Sequence, residues 1–278
     1  MRRAAVPHLY TLALPAGPRP RALEPSAPLR RARPALGTLV ELGYRPGAGR
    51  AGAAEAALGA AWRAIAEVER ALSRFDPASE LSRFNAAPAG AVLPIGADAA
   101  TVLRAAAHLQ RESGGLFDVS LGTGPRAWAV EAAPRGDHLI KRTSEVRLDL
   151  GGIAKGHAVD RAFEVLSAHA GPDGACWVNA GGDLRVRGAC LPVELRDEQG
   201  GGTWPWLVLE DGALATSHLA PGARSALAGG PPVAPWVSVL APRGLWADAL
   251  TKVVAATGEA EHPLLVALGA CAWIHGAR

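Results

Sequence analysis

Val146-Arg-Leu-Asp-Leu-Gly-Gly-Ile-Ala-Lys-Gly156 passes from alternating apolar and polar residues into two glycines and then into helix-forming sequence. The pattern predicts a strand over 146–150, a tight turn at Gly151 and Gly152, and a helix from about Lys155 to Leu166. An acid at a strand end, two glycines that admit a ligand to the backbone, and a lysine opening a helix together make a site for an anion such as a diphosphate. Backbone N–H groups, the helix dipole and Lys155 would all face it. A capped turn with a solvated lysine accounts for the same letters, and the spacing matches neither the P-loop nor the dinucleotide fingerprint.

On the N-terminal side, Leu36–Tyr44 alternates as a strand with one buried face. Leu58, Trp62, Ile65, Val68 and Leu72 recur at three- and four-residue steps and predict an amphipathic helix over 53–75. A second helix is expected over 98–113, with Asp98 as N-cap and Gly114 and Gly115 as its stop. On the C-terminal side, residues 176–179 and 184–187 flank Ala180-Gly-Gly-Asp183 as an antiparallel hairpin. A strand over 237–241, a helix over 248–256 ended by Gly258, and a short helix and strand near 272–275 close the chain. Helices and strands mix without a strict βαβ repeat, so the expected class is α+β.

Nearly half of the 278 residues are apolar and a fifth are charged, which suits one or two domains with a substantial core. The formal charge of +3 misleads. Residues 1–34 hold seven arginines against the single acid Glu24, leaving the remainder near −3, so a groove that tracks phosphate backbones is not expected and nucleic acid is excluded as a partner. That Arg- and Pro-rich stretch is expected to be a disordered tail, with the catalytic domain over 35–278. Cys176, Cys190 and Cys271 form no CxxC pair and no metal-like spacing. No export signal is evident around Ala4–Pro15, and no apolar run reaches the roughly 18 residues of a membrane span, so the cytoplasm is the default compartment.

Asp248-Ala-Leu-Thr-Lys252 is the second constellation. Its aspartate is either a helix N-cap or, beside another oxygen-rich site, a ligand for Mg²⁺. Among the tryptophans, which read mostly as core or rim, Trp246 lies two residues before Asp248; His218 is a loop residue in reach of a phosphate.

The order of short motifs resembles the ApbE-like FAD:protein FMN transferases. The motifs are LGT at 36–38, SRFDPASELSRFN at 73–85, GLFDVSLG at 115–122, DLGGIAKGHAVDRA at 149–162, then NAGGDLRVRG, ATS at 215–217 and ADAL at 247–250. The resemblance implies a bilobed α+β protein holding FAD between its lobes, with Mg²⁺ beside the pyrophosphate. It places Leu36, Phe75, Leu116, Phe117 and Asp118 along FAD, Asp149 at a polar edge of the cofactor and Lys155 at the phosphates. Gly152 (through its carbonyl) and Asp248 would bind the metal. The implied reaction moves FMN from FAD to a threonine or serine hydroxyl of a flavoprotein carrying an Asp-x-x-[ST]-Gly-Ala-Thr pattern and releases AMP, with Asp248 or a water taking the hydroxyl proton.

Lys252 stands where most relatives carry a metal-binding threonine. Either Thr251 shifts in register to ligate, or Lys252 replaces part of the metal's charge. The family's H-I-[ID]-P-x-[ST]-G segment is replaced by RSALAGGPPVAPW at 224–236, and the stretch from Phe117 to Asp149 is short. An FAD pyrophosphatase and a non-catalytic FAD-binding module are the competing readings.

Overall fold

The computed structural model describes residues 12–13, 27–48, 50, 52, 54–196, 201–219, 227 and 230–276. The first half of the chain holds β1 (Leu12–Ala13), β2 (Leu29–Ala35), β3 (Thr38–Arg45), α1 (Ala54–Leu72), α2 (Glu80–Ala86), β4 (Val92–Ile95), α3 (Ala97–Glu112), β5 (Trp128–Ala133) and β6 (Gly136–Lys141). Then come α4 (Ala154–Ala170), β7 (Ala175–Ala180), β8 (Asp183–Arg187), β9 (Leu191–Arg196), β10 (Thr203–Leu209), β11 (Gly212–His218), β12 (Trp236–Ala241), α5 (Gly244–Thr257), α6 (Pro263–Ala267) and β13 (Cys271–Ile274).

Seven strands form an antiparallel sheet in the order β13-β12-β11-β8-β7-β3-β2. Helices α1, α4 and α5 lie along one face, with α4 between the other two. The opposite face, carrying Trp177, Leu184, Val186, Leu214, Leu240 and Trp273, is covered by β9 and β10 through Leu191, Val193, Trp206 and Leu209. A separate sheet, β4-β6-β5, packs with α2 and α3 into the core of α5. The α+β expectation holds, since every described strand pair is antiparallel and the helices flank the sheet rather than cross between parallel strands.

Strand β8 alternates strictly. Leu184 and Val186 enter the apolar layer, while Asp183, Arg185 and Arg187 face α4. Lys155 meets Asp183 at 2.6 Å, Asp160 meets Arg185 at 2.7 Å, and Arg187 donates to the carbonyls of Ser167 and Gly171. The period-2 rule thus turns one strand into a polar rail that fixes α4 along its length.

Helices α4 and α5 cross where Gly156 meets Gly244. A methyl group on Gly156 would overlap the Gly244 carbonyl oxygen, and one on Gly244 would lie 2.7 Å from that of Gly156. Each helix caps the other from one turn further on. Asp160, fully buried, accepts from the N–H groups of Gly244 (2.7 Å) and Leu245 (3.1 Å), and Asp248 accepts from the N–H of Gly156 (3.1 Å). Both glycines stand four residues before the aspartate of their own helix.

Several expectations are corrected. Leu29–Ala35 is a full strand of the sheet, so the arginine-rich segment is structured from there although it was expected to be tail through residue 34; paired backbone and cation–π seats for Arg30 on Trp177 and Arg33 on Trp62 outweigh its weak apolar pattern. Leu12–Ala13 pairs with β10, and the rest of residues 1–26 lies outside the described residues. Leu36 and Gly37, expected in the first strand, form the two-residue turn of the β2–β3 hairpin with φ of 53° and 69°. Residues 146–150 join none of the described sheets. Their backbone is held by the side chain of Asn85, which bridges the N–H and carbonyl of Leu148 at 2.8 and 2.9 Å. Gly96 rather than Asp98 is the α3 N-cap, because the Asp98 carboxylate is drawn to His157 and Arg161. Helix α5 begins at Gly244, so Asp248 lies inside the helix and is not its cap. The β4-β6-β5 sheet and strands β9, β10 and β11 are not among the expected elements, although Leu191, Val193 and Leu195 of β9 alternate with Pro192, Glu194 and Arg196.

Asp160→Ala strips the cap from α5 and leaves the Arg185 guanidinium without its buried partner. It is expected to cost about 3–5 kcal/mol, read as a shift in denaturant midpoint, whereas Glu164→Ala, which removes the exposed carboxylate 3.8 Å from the same arginine, should cost under about 1 kcal/mol.

Candidate functional site

One end of the seven-stranded sheet gathers the polar residues that the sequence singled out. The Leu36–Gly37 turn and the Gly181–Gly182 turn are neighbours there, with Gly181 packed against the Thr38 side chain. The start of α4, the Asp248–Lys252 turn of α5 and the last residues of β11 complete the rim.

Four charges form its floor. Lys155 pairs with Asp183, and Lys252 pairs with Asp248 at 2.5 Å. Asp183 also feels Asp248 and Lys252, so the two pairs form one cluster. Asp183 is 1 % exposed. Burial first, and the neighbouring Asp248 carboxylate second, push its carboxyl up to about 6, against the pull of Lys155 and Lys252. Burial alone would lower the Lys155 ammonium; the carboxylates of Asp183 and Asp248 outweigh it and hold Lys155 above the usual lysine range, charged at all working pH.

The Lys252 ammonium donates to Asp248 Oδ1 (2.5 Å), the Asp248 carbonyl (3.1 Å) and Ser217 Oγ (3.1 Å). Thr251 is fully buried, with its hydroxyl on the Asp248 carbonyl at 2.7 Å and against Ser217 Oγ at 2.8 Å. Gly152 makes room for the lysine stem, since a Cβ there would stand 3.1 Å from Lys252 Cε. Gly152, Asp248, Thr251 and Lys252 are therefore brought together as expected. Of the two alternatives left by the sequence, the geometry favours Lys252 as the cation over a shifted Thr251. The donor set expected for Mg²⁺ does not fit a divalent ion with Lys252 in place. Asp248 Oδ1 holds an ammonium, Oδ2 holds the Gly156 N–H, and the Thr251 hydroxyl is turned into the helix.

Asp149 is half-buried at the edge of this floor, where it accepts from the N–H of Gly151 at 2.8 Å and pairs with Arg74. The Arg74 guanidinium lies 4.8 Å over the ring of Phe75, which is 82 % exposed. Leu36 is half-buried and Leu116 exposed. Phe117 is a core residue, and Asp118 spends both carboxylate oxygens on its own loop and Gln110, accepting from the N–H groups of Ser120 and Gly122, Ser120 Oγ and Gln110 Nε2. Asp118 shapes the 118–124 turn and has no oxygen turned toward a ligand. Trp246 packs edge-on to His108, and exposed His218 lies beside Trp236. Residues 220–226, 228 and 229, which fall in or beside the segment that replaces the H-I-[ID]-P-x-[ST]-G motif, lie outside the described residues.

Asp183 and Ser217 lie inside the NAGGDLRVRG and ATS motifs without being among the expected site residues. An acid immediately after a Gly-Gly hairpin turn was the available signal for the first; nothing short of the fold brings Ser217 beside Lys252.

Residues 36–218 match the family model described as the ApbE family. The chain belongs to the ApbE family. Among solved structures, the ApbE protein of Thermotoga maritima superposes with a TM-score of 0.72 at 19 % identity, over 89 % of this chain and 94 % of that one. The flavin transferase ApbE of Vibrio cholerae gives 0.69 at 22 %, over 82 % and 86 %, and the apo form of the Pseudomonas stutzeri flavinyl transferase ApbE gives 0.70 at 22 %, over 84 % and 85 %. At these identities the shared property is the fold. No match is found among curated proteins. Among the described residues of this ApbE-family chain, no helix is long and apolar enough to cross a membrane.

The raised Asp183 carboxyl has a stability consequence of definite sign. The folded state holds its proton more tightly than the unfolded chain, so its stabilising contribution is full below the ordinary value of 3.8 and is lost as pH rises through about 6. Across that window the wild type should lose stability relative to Asp183→Asn in paired thermal melts; parallel pH profiles for the two proteins would show that Asp183 titrates normally.

Proposed function

We propose that this chain cleaves FAD and transfers its FMN half to a threonine or serine hydroxyl of a target flavoprotein, releasing AMP. The observation that carries the reading is the floor itself, with two lysines converging beside Gly151 and Gly152 at the positive end of the 17-residue helix α4. Such a floor suits a diphosphate. The exposed Phe75 and Leu116 and the half-buried Leu36 offer apolar surface for a flavin ring, with the Arg74–Asp149 pair at the polar edge. The V. cholerae and P. stutzeri neighbours, named as flavin and flavinyl transferases, support the same substrate class.

In the reaction the target hydroxyl oxygen attacks the FMN phosphorus, the P–O bond to the AMP phosphate breaks so that AMP leaves with both bonding electrons, and the hydroxyl proton passes to water. Lys155 neutralises the diphosphate and the leaving AMP, and Asp183 holds that ammonium in position and fully charged. Asp248 is 1 % exposed and has both carboxylate oxygens engaged, so its part is to position Lys252 rather than to take the proton. A protein that works mainly by neutralising and positioning needs no internal Ser-His-Asp arrangement.

The test follows AMP and peptide mass together after incubation with FAD and a peptide carrying the Asp-x-x-[ST]-Gly-Ala-Thr pattern. A peptide gaining the mass of FMN, with equimolar AMP, is the expected result. AMP with free FMN instead would make the protein a pyrophosphatase, and bound FAD without AMP would leave a binding module. Lys155→Ala should lower AMP release by about 10²–10³-fold.

A further inference from the structure

We propose that Lys252 is a built-in cation which takes the place of a divalent metal at Asp248, so that this site binds and cleaves a diphosphate without one. The proposal rests on the transferase reading for its substrate, but its geometry stands by itself. The Lys252 side chain is 6 % exposed, and its three N–H donors match three oxygens, Asp248 Oδ1, the Asp248 carbonyl and Ser217 Oγ. A metal on this carboxylate would have to expel that ammonium and then tolerate it nearby. The stem is seated against Gly152, with Cε, Cδ and Cγ at 3.1, 3.6 and 3.7 Å from where a Cβ would stand, so a side chain at position 152 would displace the lysine.

Asp160 and Asp248 do the same structural work at the crossing of α4 and α5, and each buried carboxylate is met by positive charge. Arg185 at 2.7 Å and Arg243 at 3.4 Å serve Asp160, and Lys252 serves Asp248. A buried carboxylate left alone is costly, which is why a cation must stand there. With Lys155 on Asp183, the floor already carries two ammonium groups against two carboxylates, and an added divalent ion would leave it strongly positive before any ligand arrives.

An ammonium differs from a divalent ion in ways that matter here. It delivers one charge rather than two, and it cannot ionise a bound water as a Lewis acid does. Its contact to Ser217, the one partner that is an uncharged side chain, is the contact a phosphate oxygen would replace.

The experiment compares the full-length wild type with Lys252→Thr and Lys252→Met in EDTA and in excess Mg²⁺. FAD affinity and AMP release are measured, and Mg²⁺ is titrated calorimetrically into each protein without FAD. Expected are a wild type whose FAD affinity and AMP release are the same with and without Mg²⁺ and which gives no Mg²⁺ binding heat. Lys252→Thr should lose about 10–100-fold of either quantity in EDTA and recover it, with measurable Mg²⁺ binding, when the metal is supplied. Lys252→Met, with the stem kept and the charge gone, should lose affinity in EDTA as well. A wild type that needs Mg²⁺, or that binds it at a site removed by Asp248→Asn, overturns the proposal. Should no protein release AMP under any condition, the transferase reading fails, while the calorimetry still decides the lysine's role. Mg²⁺ bound by Lys252→Thr but not by wild type supports it, and Mg²⁺ bound by the wild type at Asp248 overturns it. The wild-type measurements keep their force even where a variant does not fold.

Discussion

The reciprocal capping of α4 and α5 is the constraint on which the rest depends. A helix N-terminus has unsatisfied N–H groups, and a buried one must find acceptors. Here each of the two helices takes its acceptor from the other, Gly156 from Asp248 and Gly244 from Asp160. The exchange requires the axes to approach until backbone touches backbone, which only glycine at both crossing points allows. Caps of this kind are worth about 0.5–2 kcal/mol each, and here they also fix the angle and the register of the crossing.

From that register the site follows. Once Asp248 is turned to cap α4, a lysine one turn later falls on its free oxygen, and the last strand residues of β11 bring Ser217 within 3.1 Å. Lys155, one residue before the crossing glycine, is carried over the end of β8 onto Asp183. The polar face of β8 continues the same logic away from the site, pairing α4 with Arg185 and Arg187. Charge is thus distributed along α4 by strand alternation and helix pitch, with its reactive-looking end at the rim and its structural end buried.

What the sequence made legible was local. The helical periods of α1 and α3, the Ala180-Gly-Gly-Asp183 hairpin and the glycine-flanked lysine at 155 each arise from neighbours within a few residues, and the structure contains them. What it hid was long-range. Residues 146–150 have the letters of a strand, yet their partner is the Asn85 side chain, 63 positions away, rather than another strand. Asp98 and Asp248 both look like N-caps, and both are drawn elsewhere by groups on α4. Of the SRFDPASELSRFN motif the resemblance placed only Phe75 along the cofactor, and residues 79–85 cap and build α2. Ser79 caps that helix at Ser82 N and donates to the Ser73 carbonyl, Glu80 holds Gly96, and Asn85 holds the approach to Asp149. Phe75 and Arg74 are the part of it left facing the site.

The arginines of β2 bear on how the molecule behaves in a crowd. β2 is the last strand of the described sheet, and an open antiparallel edge is a template on which another chain can add. Pro34 removes a donor from it, and Arg30 and Arg33, stacked on Trp177 and Trp62, set positive charge beside it while Arg31 is paired with Glu55, so a second copy approaching in register meets like charge and an incomplete ladder. A segment whose composition suggests a loose appendage serves instead to keep identical sheets from fusing end to end.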